Sequence, residues 1–344
     1  MTDFVVRTGH QAKHMILKCE YSGDECFYSN FSHVNTHHGN CYTFNKWEEG
    51  RGPLISKRAG AGNGLKLILD IELEEYTPSN DLDGDSMDAG LKILIHPTNE
   101  PPYVKELGFA LTPGYHSFIS MKKELITGLP VPYGECLKDG NIQYHDHYSL
   151  SACRIECETL AVQTECGCRL VEQPGDLPVC TASQTHHCAH QTLVDFVDGH
   201  LDVDCSCADP CTVEDYPHVI TMAKLRPAFI EKMFHDTEHN MTEEYIQENV
   251  IVLSIFYEGL NLQTITQLPD TDVIVLVSQI GGNMGLCLGA SILTILELLE
   301  FALDYIASKC KLLVSRYQKR RIIHVKPAVE VNEEKKEIRP TVVN

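Results

Sequence analysis

Basic side chains are scarce in this chain of 344 residues: 28 Lys and Arg stand against 48 Asp and Glu, a formal net charge of -20. Nucleic-acid affinity rests on Lys and Arg displacing phosphate counterions, so that class of partner is excluded. Enzyme signatures are also missing. The 17 histidines fall into no nucleophile motif or metalloprotease spacing and read as scattered surface groups, and nothing calls for a cofactor or a metal. The opening residues, Met1 to Arg7, have neither a basic n-region nor an apolar h-region. Export of the acidic, cysteine-rich part then needs a preceding part of the protein, or reliance on a C-terminal segment. Apolar material, by contrast, is ample: 43% hydrophobic residues support a sizeable core.

Charge is unevenly spread. Residues 1–271 carry 18 basic and 40 acidic side chains, residues 272–307 carry four acids and no base, and residues 308–344 carry ten bases and four acids. Different stretches therefore face different environments. Thirteen of the fifteen cysteines lie in the acidic part, together with two glycosylation sequons, Asn30-Phe31-Ser32 and Asn240-Met241-Thr242. Cysteine density of this kind indicates an oxidising, extracellular compartment, although a sequon also arises by chance.

From Val273 to Ala307 the chain has no Lys, Arg or Pro over 35 residues, the signature of a membrane span. One helix of that length would run about 52 Å against about 30 Å of hydrocarbon, so the segment must tilt, break or extend past the bilayer. Lys309, Lys311, Arg316, Lys319, Arg320 and Arg321 come immediately after it. The positive-inside tendency then puts the tail in the cytosol and residues 1–271 outside. Gly281, Gly285 and Gly289 recur at every fourth position, a stripe that serves either helix packing or a narrow passage. Glu297, Glu300 and Asp304 stand at i, i+3 and i+7, within about 80° of Gly289 if the helix is continuous. Such acids line an aqueous cation path, or else lie at the cytosolic headgroups.

In the acidic part, Leu65, Leu67, Leu69, Ile71 and Leu73 alternate with Lys66, Asp70 and Glu72, predicting a strand with the first set inward and the second outward. Leu91, Ile93 and Ile95 repeat the pattern, and Asn249–Tyr257 reads as a more deeply buried strand. Gly62-Asn63-Gly64 and Asp81 to Gly84 read as turns. Ten cysteines fall between residues 136 and 211, allowing about 945 pairings. Ser151–Glu165 reads as a helix, with Cys153 and Cys157 about 6 Å apart on one face, while Cys205 and Cys207 on an extended segment lie about 6.6 Å apart. The matched spacings suit a nested ladder, Cys153 with Cys207 and Cys157 with Cys205, inside an outer rung of Cys136 and Cys211. Zinc held near Cys188 by His186, His187 and His190 is the competing reading.

Four stretches carry a family resemblance: Arg7-Thr8-Gly9-His10-Gln11; Gly39-Asn40-Cys41-Tyr42-Thr43-Phe44-Asn45; Tyr148 to Thr159 (YSLSACRIECET); and Gly281 to Thr294 (GGNMGLCLGASILT). From residue 7 to about 310 the chain resembles the degenerin/epithelial sodium channel family, in its acid-sensing branch. The resemblance implies an α+β membrane protein. Its disulfide-rich extracellular domain, 1–271, would combine a β-sheet palm and β-ball with a helical thumb (about 136–211) and finger. A pore-lining transmembrane segment, 272–307, and a cytosolic tail, 308–344, would complete the chain. It implies the disulfides Cys19–Cys26, Cys136–Cys211, Cys153–Cys207, Cys157–Cys205, Cys166–Cys188 and Cys168–Cys180, with the partner of Cys41 upstream of Met1. It also implies a selectivity filter at Gly289, Ala290 and Ser291, with Ser278, Gln279, Gly281 and Gly285 along the pore and gate, and Glu297 and Glu300 as cytosolic-side pore acids. A filter of this kind suits a flexible backbone whose carbonyls, with the Ser291 hydroxyl, replace part of a small cation's hydration shell.

The function implied by the resemblance is a subunit of a ligand-gated, sodium-permeable channel in the plasma membrane. It is multi-pass when full length, assembles as a homo- or heterotrimer with related subunits in the bilayer, and passes Na+, with Ca2+ as a further candidate ion. The alternative is a truncated, non-conducting single-pass surface protein or regulatory subunit. The proton-sensing candidates are Asp83, His190, Asp195 and Glu258. The sequence departs from the family's acidic pattern at Gly84, His190, Ser254, Gln263 and Gln279, which leaves protons or another ligand as the stimulus. Paired carboxylates hold protons more tightly than single ones, so these substitutions predict a weaker response to mild acid.

Overall fold

A computed structural model describes residues 1–46, 52–76, 89–201, 203, 205–234, 241–289 and 292–322. The chain divides into two units, Met1–Leu268 and Pro269–Asn344. Eleven strands are seen among the described residues of the first: β1 (Ile16–Tyr21), β2 (Asp24–Cys26), β3 (Phe31–Thr36), β4 (Gly39–Phe44), β5 (Leu65–Asp70), β6 (Leu91–Ile93), β7 (Phe109–Leu111), β8 (Tyr115–Thr127), β9 (Thr212–Asp215), β10 (His218–Lys224) and β11 (Val250–Thr266). The helices with them are α1 (Thr2–Thr8), α2 (Ala12–Met15), α3 (Val104–Leu107), α4 (Leu150–Cys166), α5 (Ala182–Gln184), α6 (His190–Val197), α7 (Pro227–Phe234) and α8 (Glu243–Asn249). A π-helical turn, Thr185–Ala189, joins α5 to α6.

The principal sheet runs β10-β8-β11-β5-β1-β2, with β9 pairing the far part of β8. Its pairs are antiparallel except β8 with β11, which run parallel and keep company from Val252↔His116 to Thr266↔Thr127 across one irregularity. Two hairpin ribbons, β3–β4 and β6–β7, stand apart from it. Leu65, Leu67, Leu69, Ile119, Ile251 and Leu253 fill a core on one face, capped by Phe31, Tyr42, Phe44 and Phe109 from the ribbons. Ile68 and Val250 face the other way, into a second core with Ile230, Phe234, Met241 and Ile246 of the α7–α8 region.

This second cover corrects the alternation read for residues 65–73. The strand ends at Asp70, Leu73 begins a 3-10 turn, and Asp70 is buried rather than outward, at 6% exposure. Helices on the second face take away the water that a half-buried strand would offer it. Its carboxylate is satisfied instead by the Tyr245 hydroxyl, which donates to Oδ1 and Oδ2 at 3.1 and 2.9 Å, and by the Glu72 amide at 3.1 Å. Leu91 and Ile93 form β6, with Ile95 beyond its end. The strand from 250 is buried as expected at Val250, Ile251 and Leu253, and continues to Thr266 with an exposed second half. The turn at 62–64 is present; the one at 81–84 lies outside the described residues.

Helix α4 shows why residues 150–166 leave the sheet. Ser149 accepts the Ala152 amide at 3.1 Å as N-cap, and Gly167 ends the helix with φ 64°, a left-handed geometry that costs glycine little. Ala152, Cys153, Cys157, Ala161 and Val162 are buried along it. Residues 205–207, read as extended, form no strand and are held as irregular backbone.

Replacing Tyr245 with Phe leaves the buried Asp70 carboxylate with the Glu72 amide alone among these donors. We expect a loss of about 1–3 kcal/mol in stability, measured by denaturant unfolding against the parent; an unchanged midpoint would show that Asp70 is solvated in some other way.

Candidate functional site

Two regions gather the candidate residues: the cysteine-rich segment of the first unit and the helices of the second. In the first, Cys153 and Cys157 of α4 join Cys207 and Cys205, each pair with Cα atoms 5.8 Å apart. Cys136–Cys211 spans 4.8 Å between Cα atoms, Cys166–Cys188 5.9 Å and Cys168–Cys180 5.0 Å, and Cys19–Cys26 links β1 to β2 at 4.9 Å. The inner two disulfides are adjacent, with Cys157 Sγ 3.4 Å from Cys207 Sγ. Cys153, Cys157 and Cys207 lie close enough to bracket a metal, but their sulfurs are spent on disulfides and offer no thiolate. Cys41, Cys287 and Cys310 are outside any disulfide among the described residues. Burial pushes the Cys41 thiol up, against the opposing effect of Thr36, whose hydroxyl lies 3.1 Å from Cys41 Sγ.

Of the acid-sensing candidates, Asp83 lies outside the described residues. His190 opens α6, and Asp195 on the same helix accepts from Gln191 Nε2 at 2.9 Å. Glu258 is on β11, its carboxylate 3.4 Å from Lys122 Nζ. Among the described residues, then, the contacts of Asp195 and Glu258 are with Gln191 and Lys122, not with one another. Ser254 is buried at 3% exposure, its hydroxyl 3.0 Å from His116 Nε2. Asn30 is exposed, although its Oδ1 accepts the Phe27 amide at 2.8 Å; Asn240 is outside the described residues.

Sequence reasoning missed a second carboxylate group. Glu158 on α4 takes a hydrogen bond from the Tyr103 hydroxyl, and Glu172 approaches His37 Nδ1 at 3.9 Å. Both carboxyls are pushed above the usual range, chiefly by burial; the charge of Glu158 adds to the effect on Glu172, while Lys105 opposes it at both. No local signal marked Glu158: on α4 it stands about 100° from Cys157, and the corresponding neighbour of Cys153, Arg154, is exposed.

In the second unit, α9 (Val273–Leu288) starts at Asp272, whose carboxylate accepts the Val273 amide at 2.7 Å, and stops at Gly289 with φ 62°. Helix α10 (Ile292–Ile322) resumes after residues 290 and 291, which lie outside the described residues together with the tail from 323. Ala290 and Ser291 of the expected filter are therefore not described. Ser278 donates to the Ile274 carbonyl at 2.8 Å, Gln279, Gly281 and Gly285 are on α9, and a Cβ at Gly281 would meet nothing within 4 Å. Glu297, Glu300 and Asp304 are exposed on α10. Because the helix breaks at Gly289, the angle that a continuous helix would set between that glycine and the acids does not apply. Among the described residues no helix is long and apolar enough to cross a membrane: α9 has 16 residues, about 24 Å, and α10 carries the basic run.

A cystine-riveted helical segment beside a mixed sheet, with a glycine-broken apolar stretch after it, defines a class. Residues 1–301 match the family model described as "Amiloride-sensitive sodium channel", and the chain belongs to that family, whose members are channels and not enzymes. It is 41% identical over 308 residues to "Acid-sensing ion channel 1" of Gallus gallus, covering 89% of this chain and 58% of the relative. It is 40% identical over 311 residues to "Acid-sensing ion channel 2" of Homo sapiens, covering 90% and 60%. With "Acid-sensing ion channel 1A" of Danio rerio it shares 42% over 303 residues, covering 88% and 60%. The chain thus spans 58–60% of the length of these curated relatives.

The raised carboxyls give a pH dependence with a definite sign. A group whose folded pKa is raised favours the folded state below its ordinary value, about 4.3 for Glu, and withdraws that support as pH rises through the raised value. Exchanging Glu158 and Glu172 for Gln should therefore flatten the fall in Tm as pH rises above about 4.3. Melting curves of parent and double variant that stay parallel across that range would contradict it.

Proposed function

We propose that the chain is a subunit of a sodium-permeable, ligand-gated cation channel, with the first unit outside the cell, the apolar stretch 272–307 lining the pore and the tail 308–344 in the cytosol. Three subunits, identical or related, surround one conduction path in the plasma membrane. The observation that carries the reading is the break in the apolar stretch: α9 stops at Gly289 in a left-handed conformation, at the head of Gly289-Ala290-Ser291. A helix interrupted within an apolar stretch leaves carbonyls without intrahelical partners, which hydrocarbon does not tolerate but a water-filled path does. Family membership supports the same reading.

Ser278 and Gln279 lie about two turns before Gly285 on α9, where they would narrow the path, and Glu297 and Glu300 would hold cations near its cytosolic end. Asp83, His190, Asp195 and Glu258 are the proposed acid-responsive groups. The acidic excess of residues 1–271 raises the local cation concentration around the assembly.

Two measurements test this. Cysteine placed at 289 or 291 in a conducting assembly should change the sodium-to-potassium permeability ratio or admit block by thiol reagents; unchanged ratios and no reagent access at either position would remove the filter. In the same assembly, half-activation by protons should fall below about pH 6.5, since Gly84, Ser254 and Gln263 stand where the family's pattern has acids. Full-amplitude currents at or above that pH would show that the substitutions do not matter.

A further inference from the structure

We propose that Tyr76 is a sulfation site: its hydroxyl, at the end of an acidic turn on the surface of the first unit, accepts a sulfuryl group from an adenine nucleotide phosphosulfate held by a lumenal sulfotransferase. The inference rests on the reading that places the first unit outside the cell, because that transfer takes place in the secretory pathway on folded chains.

The local sequence is Asp70-Ile71-Glu72-Leu73-Glu74-Glu75-Tyr76, with carboxylates one, two, four and six positions before the tyrosine. No Lys or Arg stands between Lys66 and Lys92, and Tyr76 is the one tyrosine of that interval. The chain leaves β5 at Asp70, Ile71 is buried, and after the 3-10 turn Leu73–Glu75 the side chain of Tyr76 is 43% exposed. The Leu73 amide donates to Asn249 Oδ1 at 2.5 Å and the Tyr76 amide to the Leu73 carbonyl at 3.1 Å. The turn is thus pinned at its base, while Glu74, Glu75 and Tyr76 are exposed. An enzyme site that holds a polyanionic nucleotide is basic, and a substrate offering carboxylates without ammonium groups is steered to it and oriented there.

Acidic context alone does not select Tyr76. Tyr216 follows Glu214 and Asp215, and Tyr245 follows Glu243 and Glu244. Both are half-buried, and both hydroxyls are committed to a carboxylate: Tyr216 donates to Glu214 Oε2 at 3.2 Å, Tyr245 to the two oxygens of Asp70 at 3.1 and 2.9 Å. Burial first, and those carboxylates next, push both hydroxyls up. A sulfate ester at either would set a fixed anion against a carboxylate in a partly dry site. The Tyr76 hydroxyl donates instead to the neutral Gly90 carbonyl at 2.9 Å, on exposed surface where water can take its place. Beside it stands the His10 imidazole, ring centroids 6.4 Å apart, which also contacts Glu72 Oε2 at 3.2 Å; protonation there offsets the charge of an ester rather than opposing it.

In the transfer a lone pair on Tyr76 Oη forms the O–S bond, and the bridging S–O bond of the phosphosulfate breaks with its electron pair going to the departing nucleotide. The phenolic proton passes to a base on the transferase, and nothing is oxidised or reduced. The product adds a permanent negative charge to a surface already rich in them.

The full-length protein is purified from animal cells and digested with trypsin. Mass spectrometry under conditions that preserve the ester reads the peptide of residues 67–92, the peptides holding Tyr216 and Tyr245, and the disulfide map. The Tyr76 peptide should gain the mass of one SO3, keep it through phosphatase treatment, and lose it when the cells grow in chlorate, which blocks synthesis of the donor. Its occupancy should fall severalfold in Glu74→Gln with Glu75→Gln, and Tyr216 and Tyr245 should be unmodified. If the double variant does not form the parent disulfides, Glu75→Gln alone replaces it, with an intermediate occupancy expected. An unmodified Tyr76 on a chain with its disulfides formed, a group that phosphatase removes, equal sulfation at Tyr216 or Tyr245, or parent-like occupancy in the Gln variants would each overturn the proposal. An unmodified Tyr76 on a chain whose first-unit cysteines are all reduced would overturn the extracellular placement along with it.

Discussion

The cysteine-rich segment depends on covalent closure in a way the rest of the first unit does not. Its own buried cluster consists of Val162, Cys168, Leu170, Cys180 and Ala189, and two of these five are disulfide cysteines. So little apolar area cannot offset the conformational entropy of ordering some seventy residues. Five disulfides with sequence separations from 12 to 75 act instead on the unfolded chain, each removing entropy worth about 2–4 kcal/mol when taken singly. Because the loops are nested, those values do not add. The result is a helix whose orientation is fixed by bonds, and the carboxylate of Glu158 is carried with it into a partly dry site.

The sheet is stabilised differently. β5 and the first half of β11 are covered on both faces, so Leu67 and Leu253 serve one core while Ile68 and Val250 serve the other. Covering both faces removes the outlet to water that a polar side chain would normally use. Asp70 and Ser254 are retained there only through specific partners, Tyr245 and His116.

Much of this was legible in the sequence, and the illegible part has a common cause. Helix α4 could be read to within one residue at each end, since the pattern that marks it is local. Strand β5 was legible in position but not in environment: alternation reports one buried face, and the α7–α8 cover that buries Asp70 comes from residues more than 150 positions away. The segment at 205–207 was read as extended from two cysteines in alternation, yet the disulfides hold it without any strand partner. Glu172 and His37 carry no motif, since they meet only because a hairpin turn and a loop of the cysteine-rich segment share a cleft. In the second unit the apolar run was plain, and its length alone required it to tilt, break or overrun the bilayer, but the place of the break depends on the backbone freedom of Gly289.

The parallel pairing of β8 with β11 has a mechanical meaning. Thr127 and Thr266 sit at the same end of the ladder, and the polypeptide beyond Thr266 runs on toward α9. A pull along the strand axis, resisted by the rest of the sheet, does not peel the pairs apart in succession. It loads the two paired runs, Val252–Tyr257 and Leu262–Thr266, together in shear. Traction exerted through the residues after β11 would therefore reach β5 and β1 as a displacement of the entire layer, with little lost to local unravelling.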